Sequence, residues 1–175
     1  MLNEAVKELL NVQVNKEFYS AYLYLDFSNF YEAKGLDGFA SWYKIQAQEE
    51  RDHAMLFYQY LHNNGVQVVF EAIEKPNVSL ENLMDVLKAG LQHEQYVTSL
   101  IYNIYAAAQE AKDFRTTQFL DWFVKEQGEE EKNAQDLINK MEMFGNDPRS
   151  LYLLNEELSV MKNSNPNWTA TMWYS

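Results

Sequence analysis

The chain interrupts its helical pattern at a few well-separated places, and those breaks dictate what it can fold into. Asn3 is placed to cap a helix running to Ala33–Lys34, with Gly35 as the left-handed residue that ends it. Asp37 is placed to cap a second, which ends at Asn63–Asn64 before Gly65. Beyond the loop that holds Pro76, Ser79 is the expected cap of a third, with Val78 and Leu83 as its hydrophobic staple. Asp113 caps a fourth that runs to Phe144, where Gly145 stops it. Asp147 and Pro148 read as an N-cap followed by proline at the first helical position, opening a short fifth helix. Three prolines and six glycines in 175 residues leave room for elements this long.

Each long segment carries the helical period rather than alternation. Leu10, Val14, Ala21, Tyr24 and Leu25 line up in the first; Phe39, Trp42, Tyr43, Ala47, Ala54, Phe57 and Leu61 do so in the second. Leu80, Leu83, Leu87, Leu91, Val97, Ile101 and Tyr105 form the third stripe, and Leu120, Phe123, Ala134, Leu137 and Met141 the fourth. The short helix offers Leu151, Leu154, Leu158 and Met161. Helices of about 26 to 31 residues are roughly 40–45 Å long. Short connections make helices one and two, and three and four, antiparallel neighbours. Gly65 to Val78 is long enough to run the length of a bundle as a crossover, with VQVVF extended. The expectation is an all-α four-helix bundle with one long crossover and a short fifth helix over residues 1–162. Residues 163–175 are expected as a loosely ordered tail.

Polar, metal-capable residues interrupt every long stripe: Glu17 in the first, Glu50 and His53 in the second, Glu94 in the third, Gln127 and Glu130 in the fourth. The predicted helices have midpoints near residues 18, 50, 95 and 129. Each interruption therefore lies within about three residues, or roughly 5 Å, of the middle of its helix. In an aligned bundle these groups converge on one central layer. A single such residue reads as a satisfied core histidine or an edge glutamate; four helices agreeing in depth read as a site. Unpaired carboxylates in an apolar layer cost several kcal/mol each, with repulsion added, and no Lys or Arg occupies the central stripes to offset them. A cation is the economical solution. Carboxylate and imidazole donors without sulfur suit iron, manganese or zinc.

Composition closes other routes. A net charge of −12 argues against nucleic acid or an anionic membrane as a partner. Zero cysteines exclude disulfides, thiolate metal sites and thiol nucleophiles. MLNEAVKELL does not read as a secretory signal, and no apolar run approaches the roughly 20 residues that span a bilayer. A cytoplasmic protein is expected.

The combination of Glu17, QAQEERDH at 46–53, HEQ at 93–95 and EQGEEEK at 126–132 resembles the ferritins, specifically the non-haem bacterial type, over about residues 1 to 160. That resemblance implies two irons per chain, one held by Glu17, Glu50 and His53, the other by Glu94 and Glu130 with Glu50 bridging. It implies a third iron site at Glu49, Glu126, Glu129 and Glu130. Gln127 is implied as a polar group at the irons that orients dioxygen or water, and Tyr24 as the tyrosine beside the centre. The implied activity is oxidation of Fe(II) to Fe(III) by dioxygen or hydrogen peroxide, with ferric mineral stored in a homo-oligomeric shell of 24 subunits. Arg51 stands where haem-binding relatives carry a methionine, and Glu130 where they use histidine, so no haem is expected. Gly128 occupies a position often bulkier in relatives, and the aromatic tail with Trp168, Trp173 and Tyr174 has no counterpart in the pattern. Two other readings stay open at this point: a di-iron oxidase or peroxidase that stores nothing, and a helical structural protein whose polar layer fixes register.

Overall fold

The computed structural model describes residues 2–161 and folds them into five helices: α1 Glu4–Glu32, α2 Asp37–Asn63, α3 Leu83–Glu110, α4 Phe114–Phe144 and α5 Pro148–Met161. The tail expected over 163–175 lies outside the described residues. Asn3 accepts from the Ala5 N–H at 2.9 Å, Asp113 from Thr116 at 3.1 Å and Asp147 from Ser150 at 2.8 Å, so three caps sit where the residue pattern puts them. Gly35 and Gly65 are left-handed at φ 72° and 73°, the backbone state that favours glycine.

Three boundaries differ. Asp37 is the first helical residue of α2, not its cap; Leu36 holds the cap position without a side-chain bond. The acceptor comes instead from α5, where Asn155 Oδ1 takes the Gly38 N–H at 2.9 Å. The backbone of Asn155 approaches so closely that any side chain at Gly38 would collide with it. Helix α3 starts after Asn82 rather than Ser79. Asn82 accepts from the Met84 and Asp85 N–H groups while the Asp85 carboxylate accepts from the Asn82 N–H, a reciprocal capping box. That arrangement supersedes the Val78–Leu83 staple. Gly145 does end α4 but in right-handed geometry, φ −73°. What requires glycine there is space, since an added Cβ would lie 2.3 Å from the Met141 sulfur.

The core comes in two blocks. One contains Leu23, Phe27 and Tyr31 of α1, Phe39, Tyr43 and Ala47 of α2, Val86 and Leu87 of α3, and Leu137 and Met141 of α4, closed by Leu154 and Leu158 of α5. The other contains Val6, Leu10 and Val14, then Phe57 and Leu61, then Val97, Ile101 and Ile104, then Leu120 and Phe123. Chain direction follows from the order in which each helix visits the blocks. Helices α1 and α4 run from the second block to the first; α2 and α3 run the other way. The crossover must therefore return the chain along the full bundle, which makes α2 and α3 parallel. It does so without helix or strand, clamped to α1 by Asn11 and Asn15. Those amides accept from the Val69 and Glu71 N–H groups at 2.8 Å and donate to the Val69 carbonyl. Leu25, expected in the stripe of α1, is half exposed, because the buried face of α1 passes through Leu23, Tyr24 and Phe27 on either side of it. Among the described residues no helix is long and apolar enough to cross a membrane.

Candidate metal centre

Between the two apolar blocks every long helix contributes polar residues. Glu17, Ser20, Glu50, His53, Glu94, Gln127 and Glu130 are all buried there, with Glu17 and Glu50 each 1% exposed. They lie together because each occupies the gap between the two apolar segments of its own helix. On α2, for example, Glu50 and His53 separate Ala47 from Phe57.

Glu17, Glu50 and His53 bring one ligand atom apiece within 4.8 Å of one another, and no other such group exists among the described residues. His53 Nδ1 lies 3.6 Å from Glu50 Oε2, and the ring is held edge-on by Trp122 and Phe123 at 5.5 and 5.8 Å between centroids. Gln13, one turn before Glu17, donates to Glu17 Oε1 at 2.7 Å. The second oxygen of Glu17 and both oxygens of Glu50 are buried without a hydrogen-bond partner. Orphaned carboxylate oxygens are expensive in a folded protein. Their combination with an imidazole is the donor set that a borderline or hard divalent cation accepts.

Glu94 is held differently. The Tyr24 hydroxyl donates to one of its oxygens, and Gln127 Nε2 donates to the other at 3.1 Å. Glu130 accepts from Gln46 Nε2 at 2.9 Å. Both carboxylates share the buried layer, but neither joins the close group of three. Of the remaining acids, Glu49 and Glu126 are half-buried, while Glu129 is exposed and pairs with Lys125 at 3.4 Å.

Electrostatics show what this layer does without a cation. Burial, then the charge of Glu50, pushes Glu17 well above the carboxylate range. Burial, then Glu94, does the same to Glu50, with the neighbouring Glu17 pulling the other way. Glu94 is raised by burial in spite of its Tyr24 and Gln127 bonds. Glu130 is pushed up to about 8, by burial first and then by Glu94 and Glu49. Tyr24 is raised by burial and by Glu94, so its phenol stays a donor. The layer holds protons in place of cations, and a divalent ion arriving there would displace them.

Reasoning from the sequence missed the supporting groups. Gln13 had a signal, since it lies four residues before Glu17 on the same face. Gln46 on Glu130, Thr98, whose hydroxyl accepts from Gln127 at 3.4 Å, and Ser20, 2.7 Å from His93 Nε2, act across helices and had none.

The ferritin-like domain family model matches residues 7–144. The bacterial non-heme ferritin of Staphylococcus saprophyticus is 37% identical over 160 residues, which is 91% of this chain and 96% of that protein. That of Staphylococcus aureus is 35% identical over the same span. An open-pore ferritin from Archaeoglobus fulgidus superposes with a TM-score of 0.89 at 38% identity, covering 91% of this chain and 99% of that one. A closed form of the same ferritin, engineered by site-directed mutagenesis, matches equally well, with a TM-score of 0.89.

Proposed function

The chain belongs to the ferritin-like domain family, and from that premise we propose that it takes up Fe(II) at the buried layer, oxidises it and stores the ferric product. The family supports iron storage; the redox step rests on the site. The observation that carries it is the trio Glu17, Glu50 and His53, in which both oxygens of Glu50 and the second oxygen of Glu17 are buried without a hydrogen-bond partner.

Iron is the substrate. Glu17, Glu50 and His53 hold one ion, and Glu50 reaches toward a second that Glu94 and Glu130 complete, with Gln127 beside it. Glu50 suits the bridging role because both its oxygens lack donors, whereas each Glu94 oxygen already accepts one bond, from Tyr24 or from Gln127, and keeps a lone pair for a single ion. Each ion enters by displacing protons that burial had kept on the carboxyls. Two Fe(II) then give one electron apiece to dioxygen, and with two protons the products are two Fe(III) and one hydrogen peroxide. Anionic oxygen donors stabilise the ferric state more than the ferrous one, which drives the step. The apolar blocks on either side exclude water, and the Tyr24 and Gln127 hydrogen bonds hold the Glu94 carboxylate in place. Glu49, Glu126 and Glu129 provide a third position at the edge of the layer, from which ferric ions leave. A homo-oligomeric shell, of 24 chains in this reading, collects them.

Stoichiometric Fe(II) titration of metal-free protein under air tests the redox step. Two Fe(II) per chain should oxidise in a fast phase, and His53→Ala should remove that phase while leaving helical content intact. A fast phase that survives His53→Ala would overturn the assignment.

A further inference from the structure

The glutamates of the buried layer differ in how much of each carboxylate is already engaged. Glu50 has no hydrogen-bond partner on either oxygen. Glu94 has one on each, from Tyr24 and from Gln127. Glu17 is divided: Oε1 accepts from Gln13 Nε2 at 2.7 Å, while Oε2 is buried without a partner. Gln13 is itself 1% exposed, so this bond is shielded from water.

The Gln13 bond also differs in kind. Tyr24, Gln127 and Gln46 each reach a carboxylate on another helix. Gln13 and Glu17 lie four apart on α1, where helix geometry alone sets their spacing. A shift in helix packing as ions load would leave this bond in place. It pins the rotation of the Glu17 carboxylate and leaves Oε2 as the oxygen with both lone pairs unused.

We propose that Gln13 is a positioning residue that restricts Glu17 to ligation through Oε2 alone, and so sets the coordination number of the ion held by Glu17, Glu50 and His53. The assignment rests on the reading of those three as ligands. Single-oxygen ligation gives that ion three protein donors and leaves its remaining positions unclaimed, the arrangement that separates reactive metal sites from closed structural ones. Chelation by both Glu17 oxygens would take one of those positions. It would also cost the buried Gln13 amide this acceptor, which disfavours that mode on the order of 10–100-fold.

Coordination number decides between ions. Zn(II) is satisfied by three protein donors and a water, whereas Mn(II) favours six, oxygen-rich ligands. Freeing Glu17 to chelate therefore favours Mn(II) over Zn(II). Both ions displace the same protons, so the ratio of their affinities cancels that competition.

Gln13→Met keeps the length of the side chain and removes its donor. The probes are Mn(II), counted as the free ion by electron paramagnetic resonance, and Zn(II), read by its displacement of Mn(II) from metal-free protein. In one of the two binding steps Gln13→Met should move the affinity ratio about tenfold toward Mn(II). The d–d band of bound Co(II) should weaken in the same variant, since an added ligand moves the ion toward octahedral geometry. Gln13→Lys, which restores a donor, should return the ratio toward wild type even though its charge weakens both ions. Helical circular dichroism of the metal-free variants reads folding separately. A ratio that stays unchanged while both ions weaken alike would make Gln13 a purely structural residue and overturn the proposal. A Gln13→Lys ratio that follows Gln13→Met overturns it too. Wild-type protein that binds neither ion would instead sink the reading of Glu17, Glu50 and His53 as ligands, and the role of Gln13 with it.

Discussion

Glu130→Gln should stabilise the metal-free fold by an amount that grows with pH. Glu130 is 7% exposed, and burial with Glu94 and Glu49 nearby moves its carboxyl from 4.5 up to about 8. Unfolded, the same group ionises near 4.5. Between those values the folded chain keeps a proton that the unfolded chain has lost. The stability this carboxyl allows is therefore complete below pH 4.5 and is lost as pH rises through 8. At 1.36 kcal/mol per pH unit the loss reaches about 3 kcal/mol by pH 7. Glutamine has the same shape, keeps a carbonyl oxygen for Gln46 and does not titrate. The variant should equal wild type near pH 4.5 and exceed it by about 3 kcal/mol at pH 7, or roughly 6–12 °C in Tm for a chain of this size. The assay is thermal unfolding of chelator-treated protein from pH 4.5 to 8 at one chain concentration, since assembly shifts Tm by mass action. Saturating Zn(II), a redox-silent ion, should raise wild type more than the variant. A difference that stays flat with pH, or a variant less stable than wild type at pH 7, would refute the picture of a strained proton-holding carboxyl.

Glu50→Gln should keep its helical circular dichroism and slow Fe(II) oxidation by more than about 100-fold, because groups that merely support ligands are already worth 10–100-fold. Asn82→Ala should cost about 1 kcal/mol in urea unfolding through loss of the α3 cap, whereas exposed Ser79→Ala should change stability by less than about 0.5 kcal/mol. Gly128 sits inside α4 with open space where a Cβ would go, so Gly128→Ala should raise stability by about 1 kcal/mol.

The long helices and the depth of their polar residues were legible because both are written in one-dimensional period. Gly35 and Gly65, Asn3, Asp113 and Asp147 mark ends that local chemistry alone decides. Boundaries set by another part of the chain were not legible. Asn155, more than a hundred residues away, supplies the acceptor that α2 lacks, and nothing near Asp37 announces it. Ser79 and Asn82 are both good caps, and only the reciprocal bond from Asp85 decides between them. The same divide runs through the site. Glu17, Glu50, His53, Glu94 and Glu130 break an apolar stripe and are visible for that reason, but Gln46 on Glu130 and His93 on Tyr24 are contacts between helices. The close grouping of Glu17, Glu50 and His53, with Glu94 and Glu130 held slightly apart by Tyr24, Gln127 and Gln46, is a matter of ångströms that no spacing in the sequence encodes.

Size-exclusion chromatography after aerobic addition of Fe(II) to metal-free protein, with protein and ferric absorbance recorded together, tests the central claim most directly. Storage predicts ferric iron far beyond two or three ions per chain, co-eluting with a large, shell-sized particle. Iron confined to site stoichiometry on a small oligomer would contradict it and leave a di-iron enzyme; no bound iron at all would leave the buried carboxylates as a structural device.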